Sequence, residues 1–155
     1  MRNEFMARAI QLSIENVRSG RGGPFGAVIV AGGRIVAEGA NRVTLSNDPT
    51  AHAEMEAIRA ACRELGNFEL SACEMYTSCE PCPMCLGAIY WAHLGAVYFG
   101  TSAADAAQSG FDDARIYREI ALRPPDRAIP MVSLMREEAL EAFRLWQTVP
   151  GKTLY

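Results

Sequence analysis

The chain has 155 residues, half of them hydrophobic, enough for one domain that buries about 68–70% of the surface its unfolded form exposes. A net charge of −3 argues against a surface built to grip polyanions, and a single lysine, Lys152, argues against Schiff-base chemistry. No apolar run approaches the roughly 18 residues of a membrane span, residues 1–10 carry Arg2, Glu4 and Arg8 in place of a signal-peptide core, and the five cysteines suit reduced thiols better than disulfides; together these features predict a cytoplasmic protein with no membrane partner.

Residues 3–19 place Phe5, Met6, Ala9, Ile10, Ile14 and Val17 at helical spacing, with Gly20 able to end the helix. The glycines of 20–26 do not match G-x-G-x-x-G and lead into a strand, which excludes a dinucleotide loop. Residues 27–31 and 34–38 read as a hairpin turned at Gly32-Gly33. A polar loop over 39–47 leads to a helix beginning near His52, with Asp48 or Thr50 as its cap and Pro49 in its first turn. Residues 74–77 form a strand that delivers a second helix, from Cys82 to about position 93. A fourth strand follows over 96–99, a loop at 123–126, a weaker fifth strand over 131–135 and a charged helix over 137–147. Strands alternating with helices after residue 50 predict an α/β sheet covered on both faces, in a single domain spanning 1–155.

The chemistry concentrates at Cys79-Glu80-Pro81-Cys82-Pro83-Met84-Cys85. Cys82 and Cys85 lie three apart on one face of a helix start, close enough to share an ion, and the partial positive charge of that end favours thiolates. A redox dithiol, a closed structural metal site and an open catalytic one all use such a pair. An iron–sulfur run would want another cysteine near position 89, which is Ile89. Within a helix His52 and Glu54 would point apart, but in its first turn they flank one point beyond the helix end. Two helix N-termini therefore aim at a common spot.

His-Ala-Glu at 52–54, followed some thirty residues later by Pro-Cys-x-x-Cys, resembles the signature of the zinc-dependent base deaminases. The stretches GGPFGAVIV, SNDPTAHAE, TSCEPCPMCLGAIYWA and GFDD extend the likeness over most of the chain, toward the small bacterial guanine deaminases. The resemblance implies a three-layer α-β-α cytidine-deaminase-like fold with a central mixed sheet of about five strands. It implies one zinc per chain held by His52, Cys82 and Cys85, with Glu54 as the proton shuttle. Three protein ligands leave a fourth tetrahedral position for water, and two thiolates cancel the ion's charge, so a nearby base is needed. The implied reaction is hydrolysis of guanine to xanthine and ammonia.

By the same resemblance Asp113 contacts the purine substrate, Asn41 holds its polar edge, and the C-terminal segment ending in Tyr155 covers an active site, across a domain-swapped homodimer in similar enzymes. Phe25 and Trp91 are either packed apolar residues or the walls of a planar-base pocket. His93 reads as a helix-end residue, Cys62 and Cys73 as core, and Cys79 as a buried thiol or a fourth ligand. Two alternatives stand beside guanine deamination. A tRNA adenosine or cytosine deaminase shares the motifs, although from Phe111 onward seven acidic side chains balance seven basic ones, without the excess that gripping phosphates requires. A structural zinc module closed by Cys79 would give Glu54 no role.

Overall fold

Two turn glycines set the first strand pair. Gly32 and Gly33 both have positive φ (55° and 75°) and join β1 (Gly26–Ala31) to β2 (Arg34–Ala40) as an antiparallel hairpin. The computed structural model describes residues 2–155, and Met1 lies outside the described residues. The chain divides into two compact units, Met1–Asp113 and Ala114–Tyr155.

In the first unit α1 (Arg2–Arg18) precedes the hairpin, and α2 (Val43–Ser46), α3 (Ala53–Leu65), β3 (Cys73–Cys79), α4 (Pro83–Trp91), β4 (Ala96–Thr101) and α5 (Ala103–Gln108) follow it. The strands form one mixed sheet in the order β2-β1-β3-β4. β1 runs antiparallel to both neighbours, whereas β3 and β4 are parallel, as a helical crossover through α4 requires.

Successive residues of β1 serve opposite faces of the sheet. Val28 and Val30 pack with Tyr76 against Ala9 of α1, while Ala27 and Ile29 pack with Met75 against Ala53, Ala57 and Ala61 of α3 and Ile89 of α4. A helix layer thus covers each face, giving the expected α-β-α arrangement. The alanine row lets α3 lie close to the sheet, and Gly39 of β2 completes the fit. A Cβ there would press into the Ala53 carbonyl oxygen and the Ala57 nitrogen, so glycine fixes how closely the start of α3 approaches the sheet.

The second unit holds α6 (Ala114–Ala121), a 3₁₀ turn (Pro124–Asp126) and α7 (Arg136–Thr148), none of which has a buried residue. Residues 131–135 are exposed and not a strand, so the sheet has four strands rather than five. A strand requires a partner edge for its backbone groups, and this segment pairs with none among the described residues. Among the described residues no helix is long and apolar enough to cross a membrane.

Candidate metal centre and active site

Both site helices begin on a candidate ligand. α3 starts at Ala53 with His52 as its N-cap, and α4 starts at Pro83 with Cys82 as its N-cap. Neither side chain makes a capping hydrogen bond. The expected cap from Asp48 or Thr50 is instead an Asx turn just upstream, where Asp48 Oδ1 accepts from the Thr50 N–H at 2.8 Å and its hydroxyl at 2.7 Å. Pro49 lies in that turn rather than in the helix.

His52 Nδ1 lies 3.5 Å from Cys82 Sγ and 3.6 Å from Cys85 Sγ, and the three donor atoms fall within 4.8 Å of one another. Tetrahedral zinc, with bonds of ~2.3 Å to sulfur and ~2.05 Å to nitrogen, would set those nitrogen–sulfur separations at about 3.6 Å. The donor set and spacing therefore fit the ion. Cys79 does not join the cluster; its buried Sγ lies 3.7 Å from the Ser102 carbonyl oxygen.

The protonation pattern suits chelation. Cys82 is brought down to about 4 by the hydrogen bond from the Cys85 thiol, reinforced by His52. Cys85 is pushed up by that same bond and by burial, and His52 is raised by its bond to Cys82. Before metal arrives the pair thus shares one negative charge.

Glu54, 4% exposed, sits immediately beside this cluster. Its Oε2 lies 3.5 Å from Cys85 Sγ, and its Oε1 accepts from the Thr77 hydroxyl at 3.1 Å. Burial raises its pKa, moving the carboxyl toward a range where it can both take and return a proton. Thr77 was not singled out in the sequence. The available signal was a hydroxyl inside a strand read as buried, which has to find a partner.

Thr77→Val keeps the shape but deletes the bond that orients Glu54. Turnover is expected to fall roughly 10–100-fold, as for one hydrogen bond to a charged group. Zinc content should not change; a variant with wild-type kcat would show that Thr77 orients nothing.

Asn41, 7% exposed, accepts at Oδ1 from the Gly23 and Val43 N–H groups, both at 3.3 Å. Those bonds fix the amide's orientation and leave Nδ2 as the group able to donate. Phe25 packs edge-on to Phe111, with centroids 4.9 Å apart. The Asp113 carboxyl is raised by burial and then by the nearby charge of Cys82, which places it in the electrostatic neighbourhood of the cluster. Trp91 ends α4 and is 66% exposed. His93 has φ 55°, and its own N–H bonds the Tyr90 carbonyl oxygen at 3.0 Å, so its backbone helps close the helix end. Cys73 is buried in the core, with Cys62 packed against it. Tyr155 belongs to the second unit.

An α-β-α sheet with His-x-Glu at one helix start and Cys-x-x-Cys at another defines a zinc-binding deaminase domain. The family model of the cytidine and deoxycytidylate deaminase zinc-binding region matches residues 1–101, and the chain belongs to that family. Its relatives include a guanine deaminase of Bacillus subtilis, 54% identical over 151 residues, or 97% of each chain. The X-ray structure of guanine deaminase from Bacillus subtilis superposes with a TM-score of 0.96 at 53% identity, covering 99% of this chain and 98% of that one. A tRNA-specific adenosine deaminase of Agrobacterium fabrum is 46% identical over 77 residues, 50% of this chain and 51% of that protein.

Proposed function

We propose that this chain is a zinc-dependent guanine deaminase, hydrolysing guanine to xanthine and ammonia. The observation that carries the proposal is the likeness in sequence and structure, over nearly the whole chain, to the Bacillus subtilis guanine deaminase, set on a His52, Cys82, Cys85 cluster with Glu54 beside it. The likeness to the Agrobacterium tRNA deaminase spans only half the chain.

His52, Cys82 and Cys85 are the proposed ligands, and zinc held by them would supply an acidified water. Glu54 moves two protons in turn: it takes one from the attacking water and gives it to the ring nitrogen, then takes the second from the added hydroxyl and gives it to the amine, which leaves as ammonia while the oxygen stays on the ring carbon as the carbonyl. Thr77 holds the carboxylate in the pose for both transfers. Asn41 Nδ2 donates to an acceptor on the base, Asp113 accepts from a guanine N–H or amine, and Phe25 and Trp91 pack the base.

Ammonia release should be compared for guanine, guanosine, adenine, cytosine and a tRNA anticodon stem-loop, using protein carrying one zinc per chain. Guanine is expected to lead by a wide margin, because a site of buried hydrogen-bonding groups rejects an analogue that leaves them unpaired by as much as roughly 10⁴–10⁵. Preference for the stem-loop would move the chain to the tRNA-acting branch. Asp113→Ala should lower kcat/KM for guanine at least tenfold with zinc content and Tm retained, a loss on the scale of one hydrogen bond to a charged group. Normal kinetics would remove Asp113 from the substrate contacts.

We further propose a cytoplasmic homodimer in which the C-terminal segment ending in Tyr155 is exchanged between copies. The second unit carries Ile129, Val132, Leu134, Phe143 and Leu145 largely exposed, an apolar surface that a second copy would cover. Sedimentation should give the dimer mass, and a monomer at micromolar concentration would end this proposal. Deleting residues 153–155, and Tyr155 with them, should cut turnover while leaving the thermal transition in place; unchanged kinetics would make the end of the chain a passive tail.

A further inference from the structure

A groove of about 300 Å³ opens on the first unit along β2, the edge strand of the sheet, with walls from α1 and α3. Arg21, Arg42 and Arg63 line it, and among the described residues none of the three pairs with a carboxylate; Arg21 donates to the Ser19 hydroxyl at 3.0 Å. Three acidic residues also line the groove, but each is already held by another side chain. Glu38 takes a two-pronged bond from Arg8 at 2.7 and 2.6 Å, Glu15 accepts from Gln11 at 2.7 Å, and Glu56 pairs with Arg59 at 3.2 Å. Among the described residues the three guanidinium groups at this concavity thus have no carboxylate partner. Their planar forks match phosphate oxygens better than any other common partner.

A second observation comes from the buried wall. Asn16 is 4% exposed and spends both amide hydrogens on carbonyl oxygens, of Gly23 at 2.9 Å and Asn41 at 2.8 Å. Among the described residues no donor meets its Oδ1 and no fully buried side-chain polar atom lacks a partner, so this oxygen, on a residue that lines the groove, is open to it. An acceptor open to the groove beside three guanidiniums suits a ligand with a donor as well as an anion.

We propose that this groove is a second ligand site, separate from the zinc cluster, for a small phosphomonoester that also carries a hydroxyl or amino donor. The phosphate takes the arginine forks, and the donor meets Asn16 Oδ1. The volume admits a molecule of about one ring plus a phosphate. Through Asn16 the bound molecule would rest on the residue that holds the Asn41 carbonyl.

Zinc-loaded protein should be titrated calorimetrically with ribose 5-phosphate and with inorganic phosphate, at ionic strength matched with chloride. Ribose 5-phosphate is expected to saturate at one per chain and to bind more tightly than phosphate, since only it carries carbon-bound hydroxyls. Arg42→Gln combined with Arg63→Gln should weaken it at least roughly tenfold, while zinc content and ammonia release from guanine stay unchanged. Arg34→Gln, at the hairpin and outside the groove, should bind as wild type does. Absence of saturable binding would overturn the proposal. So would undiminished affinity in the double variant, which would direct the phosphate to the metal, or an equal loss with Arg34→Gln, which would reduce the effect to diffuse charge.

Discussion

Glu54→Gln is expected to lower kcat by roughly 10²–10⁴-fold, the usual worth of a positioned general acid–base group, while the protein keeps one zinc per chain. The amide matches the carboxylate in shape, so it fits the same 4%-exposed pocket and still accepts from the Thr77 hydroxyl. It cannot take a proton. Because burial raises the native pKa of Glu54, removing the charge also relieves a desolvation cost, and the variant should be no less stable than wild type. Paired measurements of ammonia release and metal content decide the matter. Activity near wild type in metal-replete Glu54→Gln would remove the proposed mechanism.

Cys85→Ser is expected to lose both stoichiometric zinc and activity, whereas Cys79→Ser should keep both. Cys85 Sγ faces His52 Nδ1 at 3.6 Å, a separation that one ion spans, while the Cys79 sulfur is turned to the Ser102 carbonyl oxygen. The pH dependence has a definite sign. Zinc binds thiolate, and Cys85 is protonated well above neutral pH in the metal-free pair, so loading at pH 7 should expel roughly one proton or more per ion. Apparent affinity should therefore rise with pH and fall on acidification, toward the range near 4 where Cys82 also protonates. Calorimetry in buffers of different ionisation enthalpy counts the protons. Zinc lost from Cys79→Ser as well as from Cys85→Ser would favour the closed structural site instead.

The metal cluster was legible because its residues are rare types packed into two short motifs whose spacing only a helix start can satisfy. The hairpin was legible because Gly32-Gly33 can take the positive φ at both positions that a tight hairpin turn requires. Residues 131–135 misled because apolar, β-prone character records a tendency to be covered, not the edge that does the covering. Thr77 stayed hidden because its partner, Glu54, is far away in sequence and hydroxyls in strands are common. The short helices α2 and α5 were missed because four to six residues carry too little periodicity, although the Ser102–Asp105 capping box does mark the start of α5. The groove arginines gave no signal at all, since only folding reveals which charges remain unpaired.

His52 and Cys82 occupy the cap positions of α3 and α4 with no side-chain capping bond. An ion held by both would tie the two helix starts together through their side chains, a cross-link and not a cap, since a cation accepts nothing from an N–H. Stripping it should loosen the first turns of α3 and α4 before any other part of the sheet layer, visible as faster amide exchange at residues 53–56 and 83–86 while β1 and β3 stay protected. The same two turns carry Glu54 and Cys85, so a chain without its metal would lose the aim of its base along with its nucleophile.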